Sequence, residues 1–142
     1  MKKKLILFFT IFILPLFVNA KIATVDTSHA KIQLLVETNE ILVNEDFVIG
    51  IKFEIEPGWH IYWKNPGDSG LPAEIEWKNI ESVEFKNFLW PSPQKTPEGP
   101  LMTYGYYNEV VIPAIFSVDK DYIENEPSIF EIDFLILSLI HI

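Results

Sequence analysis

The 142-residue sequence contains no cysteine and no arginine. Without cysteine, the chain as written has no disulfide, no thiolate nucleophile and no zinc–thiolate site. Eleven basic residues stand against 20 acidic ones, the formal net charge is −9, and no basic cluster follows the first four residues. This charge distribution excludes nucleic acid as a partner, because nothing is available to neutralise its phosphates.

The chain is rich in apolar residues, with 49% hydrophobic and 14% aromatic residues. This composition is far from that of a disordered protein, and the length fits one packed domain. The three histidines, His29, His60 and His141, are widely separated and have no second histidine or cysteine at ligand spacing. The sequence therefore predicts neither a metal site nor a cofactor.

The first twenty residues have the organisation of a secretory signal peptide. Residues 1–4 supply three lysines, residues 5–18 form an almost unbroken apolar run, and residues 18–20 match a small-residue cleavage site. The apolar run is shorter than the roughly 20 residues that a spanning helix needs. We therefore expect residues 1–20 to be removed after export. Loss of the three lysines changes the net charge of −9 to −12 in the chain that starts at Lys21.

Several segments alternate apolar and polar residues with the period of two that is typical of a half-buried strand. The clearest is Asp46–Glu56, and weaker ones are Ala30–Glu37, Ala73–Trp77, Val83–Leu89, Glu109–Val118 and Ile129–Ile136. No segment has a sustained helical repeat, and turn signals rich in proline and glycine separate the runs. Six or seven such strands predict an all-β fold, an immunoglobulin-like antiparallel β-sandwich. Pro113 cannot donate a ladder hydrogen bond, so its strand is expected at an edge or with a bulge.

The segment from Gly58 to Pro72 is the richest in large aromatic side chains and ends in a turn with several positions suited to a positive φ. Trp59, Tyr62 and Trp63 could form a stacking platform for a sugar or peptide. The structural alternative is that Trp59, Ile61 and Trp63 share one face of a strand and fill the core.

A second aromatic segment, Thr103–Tyr107, precedes the Glu109 strand. We predict a loop tip here, because Gly105 interrupts the alternation. Exposed tyrosines on a loop favour contact with a partner over packing.

Three stretches of the sequence together resemble the N-terminal periplasmic domain of the thiol:disulfide interchange protein DsbD family, including its suppressor-of-copper-sensitivity relatives. The stretches are Gly58–Pro72, then Trp90-Pro91-x-Pro93, then Tyr104-Gly105-Tyr106 followed by Glu109-Val110 and Pro113. The resemblance covers nearly the whole chain after residue 20 and implies an immunoglobulin-like domain over residues 21–136. The motif residues are Gly58, Trp59, Trp63, Asn65, Pro66, Gly67, Asp68, Ser69 and Gly70.

In the resembled family this domain carries a cysteine pair. It takes electrons from the membrane-embedded domain of its own full-length protein and passes them to periplasmic thioredoxin-like proteins, in support of disulfide isomerisation and cytochrome c maturation. The resemblance thus implies a periplasmic protein-disulfide reductase whose full-length form is anchored in the inner membrane. It also implies that Thr103, Tyr104, Gly105 and Tyr106 form a cap loop that shields the dithiol.

The family's cysteines are due near Leu137 and near His141, and neither position holds one. Without them the chain has no catalytic residue and cannot exchange a disulfide, since the thiolate is both nucleophile and electron carrier. The chain is either a natural cysteine-free variant or a fragment. Residues 137–142 can be written codon by codon as CTG TCT CTT ATA CAC ATC, a transposon-end sequence used as a sequencing adapter. We therefore expect a non-native tail over residues 137–142 and a sandwich that lacks its last strands.

The alternative function is an exported, non-catalytic sandwich that binds a peptide or glycan through its aromatic clusters. The sequence that follows Ile136 in the gene separates the two functions, since only the redox function demands two cysteines there. Copper handling has a weak ligand set in Met102 and His60.

Overall fold

A computed structural model describes residues 23–37, 41–78 and 82–120, and the backbone of residues 129–133 and 136–138. The expected signal peptide, residues 1–20, lies outside these residues, as do His141 and the other tail residues from 139 onward. No helix in the described part of the chain is long and apolar enough to cross a membrane.

The described residues form eleven strands and no helix, which confirms the predicted all-β class. The strands are β1 (Thr24–Asp26), β2 (Ala30–Val36), β3 (Asp46–Ile55), β4 (Trp59–Gly67), β5 (Glu74–Lys78), β6 (Val83–Phe88), β7 (Gln94–Glu98), β8 (Leu101–Tyr107), β9 (Glu109–Val118), β10 (Ile129–Asp133) and β11 (Ile136–Ser138).

The strands pair antiparallel throughout the described sheets. A five-stranded sheet has the order β1-β2-β3-β9-β6, a four-stranded sheet has the order β11-β4-β8-β7, and β10 pairs with β5. This arrangement is the antiparallel sandwich that the strand pattern predicted. The predicted strand Ile129–Ile136 is divided, because β10 joins β5 whereas β11 joins β4.

The alternation in β3 decides which of its side chains enter the core. Ile51 and Phe53 are fully buried, while Lys52 on the opposite face lies 2.7 Å from Glu54 and 3.0 Å from Glu109 of the neighbouring β9. Hydrogen bonds to these two carboxylates raise the pKa of Lys52 above its ordinary value. One face of β3 thus belongs to the core and the other carries a surface ion-pair network.

Two hydrophobic clusters make up the core. The buried members of the first are Ile32, Ile51, Phe53, Ile55, Ile61, Tyr106, Val110 and Ile112. Those of the second are Phe47, Val83, Ala114, Phe116 and Val118. Phe88 packs against both clusters and therefore links them.

The expectation that the strand containing Pro113 lies at a sheet edge is wrong, because β9 lies between β3 and β6. Pro113 is tolerated inside the sheet because β6 ends at Phe88, opposite Ala114. Just beyond that end, the Leu89 N–H donates to the Pro113 carbonyl at 2.8 Å. The backbone N–H that Pro113 lacks is therefore not needed, because the regular pairing with β6 has ended at this position. The register of the β6–β9 pair does shift, between Phe85 and Asn87.

Candidate functional site

The aromatic first part of β4, residues 59–63, is largely buried on both of its faces. Ile61 is fully buried in the first core cluster, and Trp59 and Trp63 pack against that cluster, as the core-filling alternative predicted. His60 and Tyr62 point to the opposite face and are nevertheless only 1% and 3% exposed. The stacking platform proposed for Trp59, Tyr62 and Trp63 does not form, because these three side chains are divided between the two faces of the strand.

The turn after β4 begins inside the last residues of the strand. Gly58 at the start of β4, and Gly67 and Gly70 in the turn, have positive φ values. The Asn65 side-chain oxygen accepts the Gly67 N–H at 3.2 Å, and the pairing of β4 with β8 is irregular between Tyr62 and Gly67, the stretch that contains Pro66. Asn65, Pro66 and Gly67 of the motif thus form the end of β4 and the start of the turn.

Asp68 attaches this turn to the β7–β8 hairpin. The Asp68 N–H donates to the Met102 carbonyl at 2.9 Å, and the Met102 N–H donates to the Asp68 carboxylate at 2.8 Å. A hydrogen bond to a carboxylate is stronger than one between neutral groups. The reciprocal pair therefore fixes the turn to the hairpin.

A second polar connection lies beside the first. The Ser69 hydroxyl donates to Glu98 of β7 at 3.3 Å, and the Thr103 hydroxyl lies 3.1 Å from both Glu98 and the Thr96 carbonyl. Burial raises the pKa of Tyr62, the nearby negative charge of Glu98 adds to this increase, and a hydrogen bond with Ser69 opposes it. The turn, the hairpin and β4 thus meet in one polar network.

The predicted loop tip at Thr103–Tyr107 is wrong, because these residues lie in β8. Thr103 and Tyr106 are buried, with 1% and 4% exposure, and Tyr104 is half-buried in edge contact with Trp63, 6.3 Å between ring centroids. Gly105 does not interrupt the strand. It permits close approach, because a Cβ at this position would lie 2.6 Å from the Ile61 carbonyl oxygen of β4.

Tyr106 is enclosed on the core side of β8. Its hydroxyl donates to the Pro91 carbonyl at 2.8 Å, and burial raises the pKa of its phenol to about 12. The Trp90–Pro93 stretch and the Tyr104–Tyr106 stretch, both used in recognising the sequence, are therefore in direct contact.

The backbone register brings position 137 to the same sheet. β11 pairs with β4 so that Leu137 lies opposite His60, and His60 lies opposite Tyr107 of β8. The ring of His60 stacks on Tyr107 with 5.3 Å between centroids and meets Tyr62 edge-on at 5.0 Å. The first expected cysteine position thus adjoins a cluster of the buried His60 and Tyr62 and the half-buried Tyr107, which we call the aromatic cluster.

The roles of three residues in this region do not follow from the sequence reasoning. His60 is interpreted from sequence only as a possible metal ligand, Tyr107 is placed in a contact loop, and Glu98 is not identified as a site residue. The period-two pattern of β4 places His60 on the same face as Tyr62 and on the opposite face from Trp59. This pattern is the sequence signal that could have indicated the grouping of His60 with Tyr62. Among the described residues, no group of three or more histidine, cysteine, aspartate or glutamate side chains could hold a metal ion.

A family model described as "Thiol:disulfide interchange protein DsbD, N-terminal" matches residues 32–136. The crystal structure of the N-terminal periplasmic domain of ScsB from Proteus mirabilis matches with a TM-score of 0.54 and 26% sequence identity, covering 84% of this chain and 50% of that chain. The chain therefore spans about half the length of the ScsB chain that it matches. No curated protein matches the sequence.

Proposed function

Because this chain belongs to the family of N-terminal domains of the thiol:disulfide interchange protein DsbD, we propose that it is the scaffold of a periplasmic electron-delivery domain. Its electrons come from the membrane-embedded domain of its own full-length protein. They go to periplasmic thioredoxin-like proteins that serve disulfide isomerisation and cytochrome c maturation.

One observation carries this proposal: the pairing of β11 with β4. The resemblance expects the first redox cysteine near Leu137, and this register position lies opposite the buried His60. A thiol there would lie beside β4, whose following turn is fixed to the β7–β8 hairpin of the same sheet by the Asp68–Met102 pair and the Glu98 network. The backbone at this position is fixed, and the neighbouring cluster partly excludes water. Both properties suit a reactive sulfur, which must be oriented toward a single sulfur of its partner.

The chemistry proposed for the complete domain is thiol–disulfide exchange. A thiolate of the domain attacks one sulfur of the partner disulfide, forming a mixed disulfide and releasing the other partner sulfur as a thiolate. The domain's second thiolate then attacks the mixed disulfide. The partner leaves with two thiols, the domain keeps a disulfide, and two electrons and two protons have moved. A dithiol of the membrane-embedded domain reverses this oxidation.

The chain as written cannot perform these steps, because it contains no cysteine. The proposal therefore includes a non-native tail over residues 137–142, a domain over residues 21–136, and a signal peptide over residues 1–20 that directs export and is then removed. The first of these is supported by the tail sequence, because a transposon-end adapter read in frame encodes residues 137–142. Pairing of Leu137 and Ser138 with β4 is compatible with a foreign tail, because ladder hydrogen bonds use backbone atoms that every residue other than proline has.

Sequencing the gene past codon 136 from independent reads tests the function directly. We expect an open reading frame with two cysteines, the first at or near position 137. The extended domain should then reduce a disulfide-bonded thioredoxin-like protein, and replacing its second cysteine by alanine should trap the mixed disulfide, detectable by mass spectrometry. An open reading frame that ends without any cysteine would overturn the proposed function.

The shielding role of Thr103, Tyr104, Gly105 and Tyr106 is also part of the proposal, now assigned to a strand. Tyr107 joins this group, because it shares the sheet face of His60. Tyr104 and Tyr106 alternate with Tyr107 along β8, so their side chains lie on the opposite face from His60. In the extended domain, Tyr107→Ala should therefore speed oxidation of the dithiol by a small oxidant more than replacement of both Tyr104 and Tyr106 by alanine. An unchanged oxidation rate in all of these variants would contradict shielding by β8.

A further inference from the structure

His60 has a register partner on each side. β4 lies between β11 and β8, so His60 faces position 137 on one neighbour and Tyr107 on the other. Residues directly opposite each other in an antiparallel pair share a face of the sheet, with Cβ atoms about 5 Å apart. A thiol at position 137 would therefore be an immediate neighbour of the imidazole.

The surroundings of His60 make this proximity consequential. The imidazole is 1% exposed, and the titratable groups whose rings contact it are Tyr62 of the same strand and Tyr107 of β8. Glu98 of β7 lies beyond them, where its charge acts on Tyr62. Burial raises the pKa of the Tyr62 phenol above its ordinary value, so Tyr62 carries no charge near pH 7. A thiol surrounded by apolar and neutral groups alone has a raised pKa and is inert.

We propose that His60 is a positioning residue that donates an imidazole N–H to the sulfur at position 137 and stabilises its thiolate. This inference rests on the proposed function, since it assigns a role beside the expected redox cysteine. A hydrogen bond to the charged form of a group favours that form. The imidazole thereby offsets the penalty that burial imposes on the thiolate.

The aromatic cluster holds the imidazole in place for this role. Its stacking partner Tyr107 has its hydroxyl in hydrogen-bond contact with Thr96 of β7, and a Cβ at Gly105 would lie 3.6 Å from His60 Cδ2. The ring is thus bounded by Tyr107, Tyr62 and the backbone of β8. A side chain held in this way loses little conformational freedom when it donates to a neighbouring sulfur.

The Leu137→Cys variant of this chain tests the inference, because the chain has no other cysteine. The thiolate sulfur displaces iodide from iodoacetamide and the thiol proton passes to the buffer, so the rate measured against pH reports the thiol pKa. Leu137→Cys is compared alone and combined with His60→Phe, His60→Gln or His29→Phe. Phenylalanine keeps the stacking and loses the donor, whereas glutamine keeps an N–H donor and loses the ring.

We expect His60→Phe to shift the midpoint of the rate profile upward by about one pH unit, a roughly tenfold loss of thiolate at pH 7. His60→Gln should restore part of this loss, and His29→Phe should leave the midpoint unchanged. His29 is the matched control, since it also stacks on a β4 aromatic, Trp59 at 3.6 Å, but is bound to Glu56. Equal midpoints for all the variants, or equal shifts for phenylalanine and glutamine, would overturn the inference and leave packing as the role of His60.

If His60→Phe does not fold, as judged by circular dichroism, the Leu137→Cys variant alone provides the test. The imidazole nitrogen resonances of His60 should change at the pH at which the thiol ionises and should change again on alkylation, whereas those of His29 should not. Resonances of His60 that ignore both events would overturn the inference. Neither measurement depends on the native gene. A native gene without cysteines would refute the proposed function, but the coupling between position 137 and His60 could still be measured in the Leu137→Cys variant.

Discussion

At the scale of single residues, the buried phenol of Tyr106 makes stability depend on alkaline pH. Its folded-state pKa is about 12, against about 10 in an unfolded chain. The folded state therefore favours the neutral phenol, and this contribution is fully present below about pH 10 and is lost as the pH rises through about 12. Urea unfolding at a series of pH values, with tyrosinate absorbance followed in parallel, should show stability falling in this range.

The Tyr106→Phe variant separates this effect from the hydrogen bond to Pro91. At neutral pH the variant should lose about 1 kcal/mol, the usual net value of one hydrogen bond. Between about pH 10 and 12 its stability should decline less steeply than that of the parent, because the buried ionisable group is gone. A difference between the two proteins that stays constant over the whole pH range would contradict the assignment.

Thr103 allows a second prediction about a single hydroxyl group. Valine has nearly the same shape, so Thr103→Val removes only the contacts to Glu98 and to the Thr96 carbonyl. We expect a loss of about 1–3 kcal/mol in the free energy of unfolding, since the buried hydroxyl is removed and its partly buried partners each lose a hydrogen bond. The matched control is Thr24→Val on exposed β1, expected to change stability by less than about 0.5 kcal/mol. Equal losses in both variants would show that the Thr103 network contributes nothing.

At the scale of elements, the turn after β4 depends on a glycine that lies against an aromatic ring. Gly70 has φ +96°, and a Cβ there would lie 2.3 Å from the Tyr62 ring. Gly99 has φ +65° and no heavy atom within 4 Å of its Cβ position. Both alanine variants carry backbone strain of about 1–2 kcal/mol, and only Gly70→Ala must also displace a buried ring. We expect Gly70→Ala to be the more destabilising by at least about 1 kcal/mol in urea titrations, and equal losses would exclude the ring contact as the cause.

Strand prediction succeeded where one face is apolar and the other polar. The bounds of β9 were predicted residue for residue, and β3 differs from its prediction by one residue at its end. β8 was missed because Gly105 was interpreted as a break, although its missing side chain is what lets β8 approach β4. β7 was missed because Pro97 and its neighbours resemble a turn. Alternation of apolar and polar residues indicates that one face of a strand is buried. Close approach between two backbones depends also on the neighbouring strand, and the sequence of a single segment does not identify that neighbour.

The polar network illustrates a second limit of sequence reasoning. Ser69 and Glu98 are in contact although 29 residues separate them, and His60 acquires its neighbours from the pairing of β4 with both β8 and β11. No local pattern contains either fact. The family resemblance, carried by three stretches of which Gly58–Pro72 is the longest, is nevertheless confirmed. The Gly58–Pro72 run encodes both a core face and a turn, which few sequences combine.

At the scale of the whole molecule, the two core clusters are joined through Phe88. We therefore expect one cooperative unfolding transition, although the strands belong to separate sheets. Trp63 and Trp90 pack against the first cluster and Trp77 against the second. Two single-tryptophan variants test this, one that keeps only Trp77 and one that keeps only Trp90. Within each variant, the unfolding midpoint from tryptophan fluorescence should equal the midpoint from far-UV circular dichroism. Separate midpoints for the fluorescence and circular dichroism of one variant would show that the clusters unfold independently.

The four-stranded sheet ends, among the described strands, at β7. This edge strand exposes Lys95 and Pro97 to solvent. A proline interrupts the row of donors that an incoming chain would need, and a lysine disfavours burial against a second copy. Both residues thus act as gatekeepers against fibril growth, because they disfavour the pairing of β7 with an edge strand of a second copy of the protein.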